Sequence, residues 1–135
     1  MSIELIEVDP DSVQHCALLY SLLSERTPEQ SISHKEMPTY EQHLAFVDSK
    51  PYGAWYVVVA GMEEVGATYL TRQNEIGIAI FKAHRGNGYA KEAIQELMKL
   101  HDGPFLANIN PRNGASIGLF RNLDFNLIQE TYKHE

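Results

Sequence analysis

Basic charge is scarce in this chain. Eleven Lys and Arg stand against eighteen Asp and Glu in 135 residues, a formal charge of −7, and a field of that sign repels phosphate backbones and anionic lipid surfaces. Nucleic acid and membranes are therefore not expected partners. An acidic exterior suits either plain solubility or a cationic small molecule such as an amine. Cysteine is nearly absent: Cys16 stands alone, no internal disulfide can form, and its apolar helical setting makes it a core residue rather than a nucleophile. The scattered histidines suggest neither a triad nor a metal site. No apolar run approaches bilayer-spanning length, and MSIELIEVDP lacks a basic stretch followed by a long apolar one. The chain reads as cytoplasmic. What it does have is 44% apolar residues, enough for one core in a single domain, residues 1–135.

Residues 3–8, IELIEV, alternate as a half-buried strand does. Asp9-Pro10-Asp11 offers a helix start with Pro in the first turn, and Val13, Cys16, Ala17, Tyr20 and Leu23 recur at helical spacing to about Glu25. RTPEQSISHKEMP has no period and reads as a loop. Thr39 with Gln42 forms a capping-box pattern ahead of a short helix whose inner face is Tyr40, Leu44 and Val47. AWYVVVA, VGATYL and EIGIAIF are three β-rich runs, the first two joined by a hairpin at Gly61. Ala90, Ala93, Ile94, Leu97 and Met98 then make one stripe of an amphipathic helix that Gly103-Pro104 ends. FLANIN reads as a strand, NPRNGASIGLFRNLDF as a loop and short helix capped by Asn113, and FNLIQETYKHE as a last strand. The fold class is α/β with a mixed sheet flanked by helices, in the order β-α-α-β-β-β-α-β-α-β. Tyr40, Phe46 and Trp55 fall at core spacing, although aromatics around residues 34–56 could instead line a pocket.

The stretch IAIFKAHRGNGYAKEAIQELMKL carries the chemistry. The first N–H groups of a helix lack intrahelical acceptors and carry partial positive charge, so they attract phosphate oxygens. Gly86 and Gly88 let the backbone turn tightly and a ligand approach. Arg85 adds a cation. The spacing matches neither the dinucleotide fingerprint nor a Walker sequence. From these residues alone, a pyrophosphate seat and a turn using glycine for geometry both remain open.

Arg85-x-x-Gly88-x-Ala90 after an apolar strand, with NPRNGASIGLFRNLDF about two dozen residues on, resembles the GNAT superfamily of acetyl-CoA-dependent N-acetyltransferases. The likeness spans nearly the whole chain and is strongest over residues 75–125. It implies that Arg85, Gly86, Asn87, Gly88, Tyr89 and Ala90 bind the pyrophosphate of acetyl-CoA, and that Ile78, Ala79 and Ile80 pair with the pantetheine amides. It further implies that Asn113 contacts the pantetheine arm and that Phe120 stands beside it, where many members carry a tyrosine acid that phenylalanine cannot replace. Asp124 stands where the family usually has glycine. The implied activity is direct acetyl transfer, without a covalent acyl-enzyme or a metal, to a primary amine of a small molecule. A non-catalytic acyl-CoA-binding or regulatory domain of the same fold is the alternative, and a binding protein for some other phosphate ligand a third.

An ammonium has no lone pair, and with a lysine-like pKa only roughly 0.04% of an amine is neutral at pH 7, so a base must take the proton. Glu75, opening the strand before the loop, is that base by resemblance or else a solvated strand-edge glutamate. His34 and His43 are rivals, and SISHKEMPTYEQHLAFV loosely resembles the matching region of enzymes acting on nucleotide-linked amino sugars. The short C-terminus leaves the acceptor site either open or completed by a partner subunit, as in a homodimer.

Overall fold

The computed structural model describes residues 2–26 and 36–134. Its elements are β1 (Ile3–Glu7), α1 (Val13–Ser24), α2 (Tyr40–Asp48), β2 (Ala54–Ala60), β3 (Glu63–Leu70), β4 (Ile76–Ile80), α3 (Tyr89–Leu100) and α4 (Gly114–Asn122), with one 3-10 turn at Lys82–His84. The strands form a four-stranded antiparallel sheet in the order β1-β2-β3-β4. Strand alternation sends Val57 and Ala67 to one face, against Cys16, Leu19 and Leu22 of α1 and Val47 of α2. The opposite face packs Val58, Ile76 and Ile80 against α3, whose Ala93, Ile94 and Leu97 are wholly buried, and against Phe120 of α4. The predicted stripe of α3 is thus the inner seam of the molecule.

Three helices start on side-chain caps. Ser12 accepts from the His15 N–H, Thr39 and Gln42 form the expected capping box, and Asn113 accepts from the Ser116 N–H. Pro10 stays outside α1, because the Asp9 carboxylate takes the Asp11 N–H in a local turn before the helix begins. In α2 the buried face is His43 and Val47 rather than Leu44, which is 38% exposed; the row at i and i+4 faces α1. Tyr40 and Phe46 are likewise exposed, at 37% and 45%, so they are not the core residues their spacing suggested.

Two expected strands differ. FLANIN contributes only a parallel bridge, Glu75 with Leu106, in which the Ile76 N–H donates to the Leu106 carbonyl at 2.7 Å and the Leu106 N–H to that of Asn74 at 2.8 Å. Residues 125–134 form no strand among the described residues, and Leu127, Ile128 and Tyr132 are exposed. Side-chain alternation supplies a face to bury but no partner ladder, and a strand needs both.

The end of α4 accounts for two residues marked by the sequence. Asp124 is left-handed at φ 67, its N–H donating to the Arg121 carbonyl at 3.0 Å, and the Phe125 N–H donates to that of Phe120 at 2.9 Å. This is a Schellman ending with aspartate in the glycine place. Its usual apolar contact is present as well, the Phe120 and Phe125 rings meeting edge to face at 5.0 Å.

Candidate active site

The single bridge at Leu106 opens a gap in the sheet. Thr71 N–H donates to the Glu75 carbonyl and Phe81 N–H to that of Val65, both at 2.9 Å, so the odd-numbered residues from 75 to 81 turn their main-chain groups toward β3. Ile76, Ile78 and Ile80 turn theirs the other way by alternation. Ile76 N–H reaches Leu106, Ile80 C=O accepts from Arg85 Nε at 3.1 Å, and Ile78 points between the two into a cavity of about 480 Å³. The cavity runs along Ile76–Ile80 on one side and Asn108–Asn110, Asn113 and Phe120 on the other, from Arg85 and Ala90 at the start of α3 across to α1, α2 and the aromatic residues of β2 and β3.

At its α3 end the cap is missing. Gly88 precedes the helix at φ 77 with no side-chain hydrogen bond, and the first intrahelical bond is Glu92 N–H to Gly88 C=O at 3.2 Å. The amides of Tyr89, Ala90 and Lys91 come before it. Gly86 also has positive φ, 84°, and a Cβ on either glycine would meet nothing within 4 Å. These glycines therefore serve backbone conformation, and the space before the amides is open. Asn87 Nδ2 donates to the His84 carbonyl at 3.0 Å, fixing the turn.

On the α1–α2 face, Tyr69 lies flat over Gly77: a Cβ there would fall 2.0 Å from the tyrosine Cζ. Tyr52 stacks on Tyr69 with centroids 3.9 Å apart, and Trp55 and Phe46 meet it edge to face at 4.8 and 6.0 Å. Burial, and then the neighbouring Tyr69, push the Tyr52 phenol far above its ordinary range, so it stays protonated.

The structure gathers Ile78, Ala79, Ile80, Arg85, Ala90, Asn113 and Phe120 around one cavity. Asn113 Oδ1 is committed to capping α4 by a 3.1 Å bond, which leaves its amide nitrogen to donate. Glu75 is not on the cavity wall. Its carboxylate accepts from Thr71 Oγ1 at 3.1 Å and from Asn108 Nδ2, and Asn108 does line the cavity. His43, 2% exposed, donates from Nε2 to the Cys16 carbonyl at 3.0 Å, a carbonyl being only an acceptor, and its Nδ1 has no partner among the described residues. His34 lies outside the described residues. Sequence reading missed Tyr69 and Asn108, while Tyr52 fell among the aromatics of residues 34–56 that it allowed as a pocket wall. The available signal was Gly77, since glycine inside a strand often marks a close approach.

A family model described as the acetyltransferase (GNAT) domain matches residues 6–126, and the chain belongs to the GNAT acetyltransferase family. No curated protein matches it in sequence. Among solved structures, an acetyltransferase from Thermus thermophilus is similar at 17% identity and TM-score 0.72, over 96% of this chain and 90% of that one. RimL, a ribosomal L7/L12 alpha-N-protein acetyltransferase in complex with coenzyme A, is similar at 20% and 0.77, over 96% and 82%. A structure described as a putative acetyltransferase from Salmonella typhimurium with its cofactor acetyl-CoA is similar at 15% and 0.65, over 91% and 79%. Among the described residues no helix is long and apolar enough to cross a membrane.

Proposed function

We propose that this enzyme moves the acetyl group of acetyl-CoA to a primary amine of a small molecule. The observation that carries this is one cavity that runs from Arg85 and Ala90, at the uncapped start of α3, to the outward main chain of Ile78. The diphosphate sits on the α3 amides with Arg85, and the pantetheine arm runs along β4, with Asn113 opposite. Ile78 N–H polarises the thioester carbonyl. A neutral amine attacks the carbonyl carbon, the C–N bond forms, the proton leaves the nitrogen, and the C–S bond breaks to release the thiol. Glu75, held by Thr71 and Asn108, takes the amine proton through an intervening water; His34 is the second candidate base. Phe120 donates no proton, so the thiolate, with an ordinary thiol pKa near 8.5, is protonated by water.

A thiol-release assay with acetyl-CoA and a panel of amines tests this. Turnover above hydrolysis is expected, falling roughly 100-fold or more in Glu75→Gln. Coenzyme A binding without turnover on any amine favours the non-catalytic alternative, which Phe120 at the tyrosine place motivates.

A further inference from the structure

The acceptor half of the cavity is walled largely by rings and hydrocarbon, with Glu25 and Arg26 after α1 and the buried His43 of α2 also on its lining. Phe46, Tyr52, Trp55 and Tyr69 line it together with Leu19 and Leu22 of α1. Trp55 and Phe46 meet at 6.1 Å, Trp55 and Tyr52 at 4.8 Å, both edge to face, and one face of Tyr52 is covered by Tyr69 at 3.9 Å. The rings thus pack one another, and what they offer a visitor is flat apolar surface rather than an open cage of π faces for a second cation. An acceptor bearing many hydroxyls would lay them against these ring faces, where they find no partner. Phe46 is 45% exposed, an apolar ring left uncovered at this wall.

The wall also adjoins the reacting position. Tyr69 rests on Gly77, the residue before Ile78, so the ring wall borders the strand segment that carries the proposed thioester site. The net charge of −7 favours an ammonium over an anion as the incoming species. We infer that the acceptor is an arylalkylamine, a primary amine joined by a short alkyl link to an aromatic ring that packs against Phe46, Trp55 and Tyr52. This deepens the acetyltransferase reading and rests on it.

Trp55 is the only tryptophan, so its emission reports occupancy of the wall whether or not chemistry follows. Titrating 2-phenylethylamine into the full chain with coenzyme A present is expected to give a saturable change, at a concentration at least tenfold below any response to glucosamine or spermidine. Phe46→Ala, at an exposed position that does not support the core, is expected to weaken phenylethylamine at least tenfold while coenzyme A affinity holds. No saturable change, or glucosamine or spermidine binding as tightly, overturns the inference. Phenylethylamine binding without acetylation of any amine overturns the acetyltransferase reading instead. Acetylation of amino sugars with no Trp55 response to phenylethylamine overturns the arylalkylamine assignment alone.

Discussion

Replacing Gly88 by tryptophan separates the cost of the backbone from the occupancy of the seat. At φ 77 a residue with a Cβ is strained, but that Cβ meets nothing within 4 Å, so the unliganded protein loses only about 1–2 kcal/mol. For 135 residues at about 2.1 cal/mol/K each, the unfolding entropy is about 0.28 kcal/mol/K, and Tm falls by about 4–7 °C. Acetyl-CoA at a hundred times its Kd adds about 2.7 kcal/mol to the native chain, a rise of about 10 °C. In Gly88→Trp the indole projects into the open space before the α3 amides, and that rise is expected to shrink below about 2 °C. Gly88→Ala carries the same strain with little bulk and is expected to keep most of it. Differential scanning fluorimetry with and without acetyl-CoA reads all three proteins. If the ligand raises Gly88→Trp as much as wild type, the diphosphate does not sit on α3.

Arg85→Ala removes a cation held at the cavity edge by Ile80 C=O; with a charged hydrogen bond at about 1.5–3 kcal/mol, coenzyme A affinity by calorimetry should drop roughly 10- to 100-fold, and an unchanged Kd would contradict the role. Asp124→Gly relieves the left-handed ending of α4 at φ 67 and should raise stability by about 0.5–1 kcal/mol in urea melts; a fall would show that the carboxylate itself is needed. Stability should decline in alkali. Burial, then Asp9, Asp11 and Asp48, raise the Cys16 thiol, so above the ordinary thiol value of about 8.5 the unfolded chain releases its proton first and is favoured as pH rises. Urea midpoints measured from pH 8 to 10.5 should fall, and Cys16→Ala should shift the onset upward toward the tyrosine range; a flat profile in wild type would refute the sign.

The seam between sheet and α3 was legible because one helix carries a strong apolar period between two breakers, and the glycine turn announced itself by residue type. Capping at Thr39 and Asn113 was equally readable, since it depends on neighbours three residues away. The aromatic wall was legible only as one of two readings of the aromatics around residues 34–56, the other being core. Periodicity says that Phe46 and Trp55 share an apolar side, but nothing local says whether protein or an empty cavity lies against it. Nor does FLANIN reveal that its pairing stops after Leu106, because where two strands diverge is decided by elements distant in sequence. Glu75 was marked by its place at the head of a strand, whereas the Asn108 amide between it and the cavity comes from a segment 33 residues away.

The outward main chain at Ile78 has a consequence for handling the protein. Ile76 pairs with Leu106 and Arg85 covers the Ile80 carbonyl, so Ile78 is the one open notch between them, and an open strand edge is where a second polypeptide can add. A carrier lodged along it works as a stopper as well as a reagent, so the coenzyme-loaded protein will stay dispersed at concentrations where the bare form sticks to itself. Supplying coenzyme A throughout purification and storage is the practical corollary.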